Sequence, residues 1–308
     1  MASVNIGGQA VLEGVMMKGK RHYAVAVRKA DGTIVTETKE CISLAERIKL
    51  FRLPLFRGML VFVESLILGI KSLNFSAELY GDEEVEEEPS AFEKWLMETL
   101  GDKGEKVIMG LVMAVSFALS IGLFMILPML VGAGLKNFVD IPLFGQNIVE
   151  GCLRILLFLA YMKLITKAKD IKRTFEYHGA EHKSINCLEK GLPLTVENVR
   201  GCSRLHKSCG TSFLFVVMII SILVYSVFAT EVVWIRIVIR VVMLPIIAGL
   251  SYEFIRWARL KPENQLANLL SKPGFWLQRE FTTAEPDDSQ IEVAIASVKG
   301  VFEYEPMS

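Results

Sequence analysis

Residues 107–134, VIMGLVMAVSFALSIGLFMILPMLVGAG, are apolar or small at every position and carry no charge. At about 1.5 Å per helical residue, this run is long enough to cross the roughly 30 Å hydrocarbon core of a bilayer. The run predicts a transmembrane helix and decides the fold class. The chain is expected to be an integral membrane protein whose first partner is the lipid bilayer.

The composition of the whole chain agrees with this interpretation. Its 308 residues are 52% hydrophobic, the mean hydropathy is +0.41, and the apolar excess is concentrated in a few long runs. Three further runs predict membrane spans: 148–166, 213–229 and 232–255. Only two residues separate the last two spans, so they should form a tight helical hairpin. The formal net charge is zero, which predicts no nucleic-acid partner.

The distribution of Lys and Arg predicts how the spans are oriented. Segment 163–212, between the second and third spans, holds about ten basic residues, whereas the two short connections hold at most one each. Because basic loops stay on the cytoplasmic side, segment 163–212 and both termini are expected in the cytoplasm. The first 20 residues lack an uninterrupted apolar core, so we expect no cleavable signal peptide.

The residues before the first span predict two elements. Residues 1–52 form an N-terminal cytoplasmic element with a β-hairpin over 23–38, because apolar and polar residues alternate there around Asp31-Gly32. Its glycine-rich start, GGQAVLEGVMMKG, lacks the GK[ST] of a phosphate loop, and its glycines predict tight turns or close packing. Residues 53–80 are apolar but interrupted by charges, which favours an interfacial or re-entrant amphipathic helix.

Two further segments complete the predicted organisation. Residues 81–106 begin with GDEEVEEEPS, whose charges cannot be buried, and predict an acidic linker followed by an amphipathic helix. Residues 256–308 predict a cytoplasmic helical tail, with aspartates capping an amphipathic helix. The fold class is therefore mainly α: a polytopic membrane protein with about four transmembrane helices within 107–255, an interfacial helix and a small N-terminal β-hairpin element.

Three of the four histidines lie within 29 residues, in YHGAEHKSINCLEKGLPLTVENVRGCSRLHKSCG, residues 177–210. If residues 174–190 are helical, His178 and His182 project from one face and can reach one ion. Glu181 stands beside them, and the order HxxEH is that of inverted zinc proteases. Glu181 is therefore the candidate general base that would activate a water molecule, although Gly179 weakens the helix.

The same segment offers more ligands than one zinc ion needs. His206 and Cys209 join the helical histidines in a plausible set of four: His178, His182, His206 and Cys209. A closed set that includes Cys209 or Cys202 would be structural, whereas three histidines alone would leave a position for water. Glu176 and Glu197 are alternative third ligands. The expected cofactor is zinc or another divalent transition metal.

Charges inside the spans form a second, weaker signal. Arg236 and Arg240 lie four residues apart in the fourth span, where a lipid-facing arginine costs about 2.5 kcal/mol or more at the centre of the bilayer. They should face protein, water or head groups, with Glu150 among the available partners. Glu253, at the inner end of the same span, is a candidate to face the histidine segment.

Several of these motifs resemble a known family. GGQAVLEGVMMKG, AVAVRKADGTIV, YHGAEHKSINCLE, LTVENVR, HKSCGTSF and SYEFIRWA are similar to the YqhQ-like bacterial membrane proteins, along nearly the whole chain. The family is described as a domain of unknown function and as predicted metal-dependent enzymes. The resemblance implies a multi-pass protein of the bacterial plasma membrane. The candidates that lie in matching motifs are His178, Glu181, His182, His206 and Cys209, together with Glu13. Cys202 ranks below Cys209.

Two hypotheses of different classes follow. The first is a membrane-embedded, metal-dependent hydrolase that acts on a peptide or lipid-linked substrate at the cytoplasmic interface. The alternative is a non-enzymatic scaffold or assembly factor in which a structural metal, or hydrogen bonds alone, pins segment 163–212 beneath the helices. In either case an unknown membrane-associated substrate or protein partner is expected, and a homo-oligomer is compatible with the sequence. Transport is a weaker third hypothesis, since no inverted repeat stands out.

Overall fold

The structure, a computed structural model, describes residues 6–81, 104–135, 138–228, 230–261 and 263–305. The predicted acidic linker and most of the helix expected to follow it, residues 82–103, lie outside the described residues. The helices in chain order are α1 Leu44–Arg47, α2 Phe56–Gly81, α3 Gly104–Ile121, α4 Leu127–Leu135, α5 Leu143–Ile165, α6 Lys169–Glu189, α7 Val196–Arg200, α8 Gly210–Val227, α9 Val233–Leu260, α10 Gln265–Leu277 and α11 Asp288–Phe302.

The N-terminal element is a four-stranded antiparallel sheet in the order β1-β2-β3-β4. Its strands are β1 Gly7–Val11, β2 Gly14–Lys18, β3 His22–Arg28 and β4 Ile34–Glu40. The predicted hairpin is confirmed as β3 and β4: Asp31 Oδ1 accepts from Thr33 N at 2.8 Å in the turn, and Gly32 has a φ of +85° that favours glycine. The glycine-rich start, for which we predicted only turns and close packing, supplies β1 and β2.

Four helices of the described chain are long and apolar enough to cross a membrane: Phe56–Tyr80, Gly110–Leu135, Gly210–Val227 and Trp234–Leu260. The number agrees with the prediction of about four spans, and three of the helices coincide with predicted spans. The fourth, α2, was predicted to be interfacial or re-entrant. α5, predicted as the second span, does not belong to this set, yet it packs against α4 and α8.

Helix α2 contacts both the apolar helices and the sheet. Near its N-terminus, the Arg57 guanidinium pairs with the Glu253 carboxylate of α9, with Nε donating to Oε1 at 2.6 Å. Further along, Leu68 is buried with Val25 and Val27 of the sheet, and Phe75 packs against them. α2 therefore joins the apolar helices to the unit formed by the sheet, α6 and α11, called the sheet unit below. Its interfacial position stays a prediction.

The sheet unit has one hydrophobic core, to which the strands, α6 and α11 all contribute. α11 packs across β2 and β3, and α6 packs against α11 and β1. Met17, Ala26, Tyr177, Ile291 and Val298 are among the buried side chains of this core. The segments predicted separately as 1–52 and 256–308 thus meet around segment 163–212, which contains the helices α6 and α7 instead of an open loop. The predicted capping of α11 is confirmed, because Asp287 forms a capping box with Gln290.

A buried ionic cluster lies among the apolar helices, at the end away from the sheet. The Glu150 carboxylate of α5 accepts from Arg236 Nη1 at 2.9 Å and from Arg240 of α9. Arg154 donates to the carbonyl of Phe124, in the π-helical segment Gly122–Ile126, at 2.9 Å. The two arginines of α9 therefore face protein, as predicted, and Glu150 is their partner.

Candidate metal centre

The helix α6 places His178 and His182 one turn apart on the same face. Their ring centroids lie 4.4 Å apart, which confirms the spacing expected from a helix over this segment. Gly179 was expected to weaken the helix, but the structure gives it a reason. A Cβ at Gly179 would lie 2.1 Å from the carbonyl oxygen of Ala284. Only glycine lets the chain after α10 approach α6 closely enough to touch His178.

Each of these histidines is oriented by a backbone carbonyl. His178 Nδ1 lies 2.7 Å from the Thr282 carbonyl oxygen, and His182 Nδ1 lies 2.7 Å from that of Arg204. A carbonyl can only accept, so both Nδ1 atoms carry the proton and donate it. The Nε2 atoms then remain to bind another group. This is the arrangement that metal-binding histidines adopt, since the bond on one nitrogen fixes the orientation of the other.

Cys209 completes a group of three candidate ligand atoms. It caps α8, where its Sγ accepts from Thr211 N, and Sγ lies 3.4 Å from His178 Nε2. His178, His182 and Cys209 each offer one ligand atom, and these three atoms lie within 4.8 Å of one another. The distance between thiol and imidazole is close to the roughly 3.4–3.8 Å expected between ligands around a tetrahedral zinc with bonds of about 2.0–2.3 Å.

The electrostatics of this group favour a thiolate. Burial opposes ionisation of the Cys209 thiol, but His178 and His182 outweigh it and lower the pKa of this thiol well below its ordinary value. Burial likewise lowers the pKa of His178, but Cys209 and Glu181 outweigh burial and raise this pKa to about 9. Cys209 and His178 therefore favour a thiolate–imidazolium pair, and binding of a metal ion would release the proton from His178 Nε2. The thiolate is the form of cysteine that binds metals and attacks electrophiles.

Glu181 lies beside the two histidines. Its Oε2 is 3.5 Å from His182 Nε2 and 3.8 Å from His178 Nε2, and the residue is only 3% exposed. It is not a member of the group that includes the thiol. Gly8 of β1 packs directly on it, because a Cβ there would lie 2.7 Å from Glu181 Cγ and 2.8 Å from Oε1. The glycine-rich motif thus shapes the site.

The structure keeps His206 apart from the group. Its ring centroid is 5.8 Å from that of His182, and its Nε2 faces Glu189 Oε1 at 3.4 Å. The hydrogen bond from His206 lowers the pKa of Glu189. Gln278 holds the backbone of His206 by accepting from its N–H at 2.9 Å and donating to its carbonyl at 2.9 Å. His206 therefore borders the group, and Cys209 is its third member.

The alternative ligands proposed from sequence lie elsewhere. Glu176 accepts from Gln290 Nε2 at 3.0 Å and fastens α11 to α6. Glu197 is an exposed residue of α7. Cys202 is buried in the shared core, with its thiol against the carbonyl of Asn198 at 3.3 Å. Glu253, expected to face this site, forms its ion pair with Arg57.

Glu13, a further motif residue, supports α6 from the sheet. It lies in the turn between β1 and β2 with a φ of +47°. Its carboxylate accepts from Arg173 Nη2 at 2.6 Å and from the Tyr177 hydroxyl at 3.1 Å. Arg173 and Tyr177 precede His178 on the same helix, so Glu13 fixes the helix that carries the histidines. Sequence reasoning did not assign this role.

The fold and this cluster together define a membrane-associated protein whose apolar helices carry a sheet unit with two histidines and a cysteine close together. A family model described as "Protein of unknown function (DUF1385)" matches residues 53–304, and the chain belongs to this family. The chain is 36% identical over 311 residues to the uncharacterized protein YqhQ of Bacillus subtilis (strain 168), covering 98% of this chain and 93% of that relative. No solved structure matches the chain. The resemblance to YqhQ-like proteins is confirmed, and neither description names an activity.

Proposed function

We propose that the chain is a membrane-embedded, metal-dependent hydrolase whose zinc or similar divalent ion is held by His178, His182 and Cys209. One observation carries the proposal: three ligand atoms lie within 4.8 Å of one another, with both Nδ1 atoms already bonded to carbonyls. Two imidazoles and a thiolate suit zinc by donor type. His206, the fourth ligand of the sequence prediction, serves here as a neighbour of the site.

The number of ligands favours a catalytic centre over a closed structural one. Three protein ligands leave one position of a tetrahedral zinc for water or substrate. A zinc ion in this place supplies Lewis acidity, which activates water and polarises a carbonyl. Glu181, beside both histidines, has the position to take a proton from a water molecule as general base. Its burial and the packing of Gly8 hold the carboxylate in place.

The membrane supplies the setting of the reaction. The basic residues of segment 163–212 favour a centre at the cytoplasmic face of a bacterial plasma membrane, with both termini in the cytoplasm. Cys209 lies one residue before α8, a helix apolar enough to span the bilayer. A substrate would therefore reach the centre at the membrane surface, which suits a peptide or a lipid-linked molecule.

A second candidate function is a non-enzymatic scaffold with a closed metal site. The observation that favours it is the position of Glu181, whose Oε2 is 3.5 Å and 3.8 Å from the two Nε2 atoms. These distances also suit a fourth ligand of a tetrahedral ion. A small movement of the carboxylate would then complete the set, leave no position for water, and pin segment 163–212 beneath the apolar helices.

Glu181→Gln separates the two functions. If Glu181 is the base of an enzyme, the Glu181→Gln variant keeps its metal content and, when loaded with cobalt, its absorption spectrum. It no longer hydrolyses lipids or peptides in proteoliposomes prepared from bacterial membrane extract. A scaffold with Glu181 as ligand loses metal affinity and changes its cobalt spectrum. Glu189→Gln is the matched control, since Glu189 is on the same helix but pairs with His206. Unchanged turnover in Glu181→Gln would remove the hydrolase.

A further inference from the structure

An apolar cavity opens beside the candidate metal centre, between α8, α9 and α10. It has a volume of about 250 Å³, and Phe215, Ile219, Phe254 and Leu270 are among its lining residues. α8 and α9 are both apolar enough to span the bilayer. Two of the three walls of the cavity are thus helices that are apolar enough to face hydrocarbon.

The cavity lies close to the candidate metal centre at the first turn of α8. Ser212 lines it, three residues after Cys209, so the two residues are only about 4.5 Å apart along the helix axis. Gln278 strengthens this connection: its Nε2 donates to Ser212 Oγ at 2.8 Å and to the His206 carbonyl at 2.9 Å. A molecule in the cavity would end next to the centre.

The two serines of the lining have hydrogen-bond partners within the protein, and Lys207 adds a positive charge to the otherwise apolar lining. Ser271 donates its hydroxyl to the Ala267 carbonyl at 2.8 Å, within its own helix. Ser212 already accepts from Gln278. Lys207 also lines the cavity, and its ammonium donates to an amide oxygen, Asn268 Oδ1, at 2.8 Å. An amide does not neutralise this charge, so Lys207 favours an anionic group beside it.

The size and the lining favour a hydrocarbon chain over a peptide. A helix about 10 Å across would fill about 250 Å³ in roughly 3 Å of its length, which is about two residues. An extended peptide would bury N–H and C=O groups without partners against an apolar wall. A hydrocarbon chain has no such groups, and two of the three helices that form the cavity, α8 and α9, are apolar enough to span a bilayer.

We propose that the cavity binds one hydrocarbon chain of a lipid whose anionic, phosphate-bearing head group lies at Lys207 beside the metal centre. The hydrolase would then act on a lipid or lipid-linked substrate and not on a peptide. As an assignment of substrate, this rests on the proposed function; as a lipid site, it does not.

Photolabelling tests this site directly. The full-length protein in phosphatidylcholine nanodiscs is given phosphatidic acid with a diazirine at the end of one acyl chain, irradiated, digested and mapped by mass spectrometry. We expect adducts on the cavity segments 215–223, 254–258 and 270–275 in excess of those on other lipid-facing surfaces. Adducts spread evenly over all apolar helices would overturn the proposal without any variant.

Two substitutions make the test specific. Ser271→Trp fills the cavity and should lower these adducts at least about tenfold, the loss expected when about two methylenes can no longer be buried. Leu266→Trp is the matched control on the same helix, because Leu266 is 55% exposed and should change nothing. Lys207→Gln should lower labelling by phosphatidic acid but not by a diazirine-bearing diacylglycerol. Equal labelling of native protein and Ser271→Trp would contradict the site.

The outcome is separable from that of the proposed function. The same labelling is repeated on the variant His178→Ala/His182→Ala, and the metal content of every sample is measured. Cavity adducts in a native protein that contains no metal would remove the hydrolase and leave the lipid site standing. Metal without cavity adducts would remove the lipid substrate and leave the metal centre.

Discussion

Two clusters of buried polar side chains, one around Glu150 and one around His178, differ in where their polar atoms point. In the first, one carboxylate receives two arginines, Arg236 and Arg240, and the charges face each other. In the second, His178, His182 and Cys209 present their ligand atoms to a common point, and each histidine is held from behind by a carbonyl. Both clusters are expensive to bury. The second cluster has three neighbouring ligand atoms, an arrangement that suits a metal ion.

This difference distinguishes a buried polar cluster that holds helices together from one that is a candidate functional site. A buried ion pair contributes little net stability, but removal of one partner costs several kcal/mol, because the other charge stays buried and unpaired. The Glu150 cluster therefore joins α5 to α9 within the apolar helices. The His178 cluster lies at the end of the apolar helices, where α6 of the sheet unit meets the start of α8. Its three neighbouring ligand atoms, on side chains that are buried or half-buried, make it the candidate site of chemistry.

The largest effect on stability is expected in the Glu150 cluster. Glu150→Ala should lower the free energy of unfolding by about 3–5 kcal/mol, because it leaves two buried arginines without their carboxylate. The measurement is thermal or denaturant unfolding in detergent. The triple replacement of Glu150, Arg236 and Arg240 by Met is the control, and it should restore most of the loss. If Glu150→Ala unfolds like the native protein, the cluster is not a buried structural unit.

The next effect concerns the close approach at Gly179. Helix propensity alone predicts that Gly179→Ala stabilises α6 by about 1 kcal/mol. The structure predicts the opposite sign, a loss of about 1–3 kcal/mol from overpacking, because the new Cβ meets the backbone oxygen of Ala284. Unfolding measurements decide between these signs. Gly110→Ala is the matched control, since nothing lies within 4 Å of a Cβ at that helical position.

The smallest effect on stability is expected at Gly8. Gly8→Ala should push the Glu181 carboxylate away from the histidines. Because the new Cβ would also lie 2.8 Å from the Met16 carbonyl oxygen, the substitution should cost about 1 kcal/mol, the low end of the range for overpacking. Metal content should persist while any metal-dependent turnover falls about tenfold or more, as expected for a misplaced catalytic group. Gly7→Ala is the control, because a Cβ there meets nothing within 4 Å. Equal turnover of the two variants would show that Gly8 does not position Glu181.

The sequence was most informative where a pattern is local. Long apolar runs predicted three of the four qualifying helices, alternation around Asp31-Gly32 predicted the hairpin of β3 and β4, and helical spacing placed His178 and His182 on one face. β1 and β2 were missed, because glycines and a two-residue turn obscure the alternation of so short a pair. The spans were less certain for α2 and α5, where charges interrupt apolar runs and contacts with other elements decide the position.

The site depended on contacts that are distant in sequence. The carbonyl of Thr282 orients His178 across 104 residues, and Gly8 packs on Glu181 from the first strand. Neither contact leaves a periodic signal in one sequence. The choice of Cys209 over His206 had the same origin, because Glu189 holds the His206 ring while the start of α8 brings Cys209 beside His178. Residue types indicated which side chains could bind a metal, and tertiary packing decided which of them lie together.

Elemental analysis of the purified protein tests the central claim most directly. We predict about one zinc, or one equivalent transition-metal ion, per chain in the native protein, and loss of that metal in His178→Ala/His182→Ala and in Cys209→Ser. His206→Ala should keep its metal, because His206 lies outside the ligand group. A folded native protein that contains no metal, and takes up none when zinc is supplied, would contradict the account.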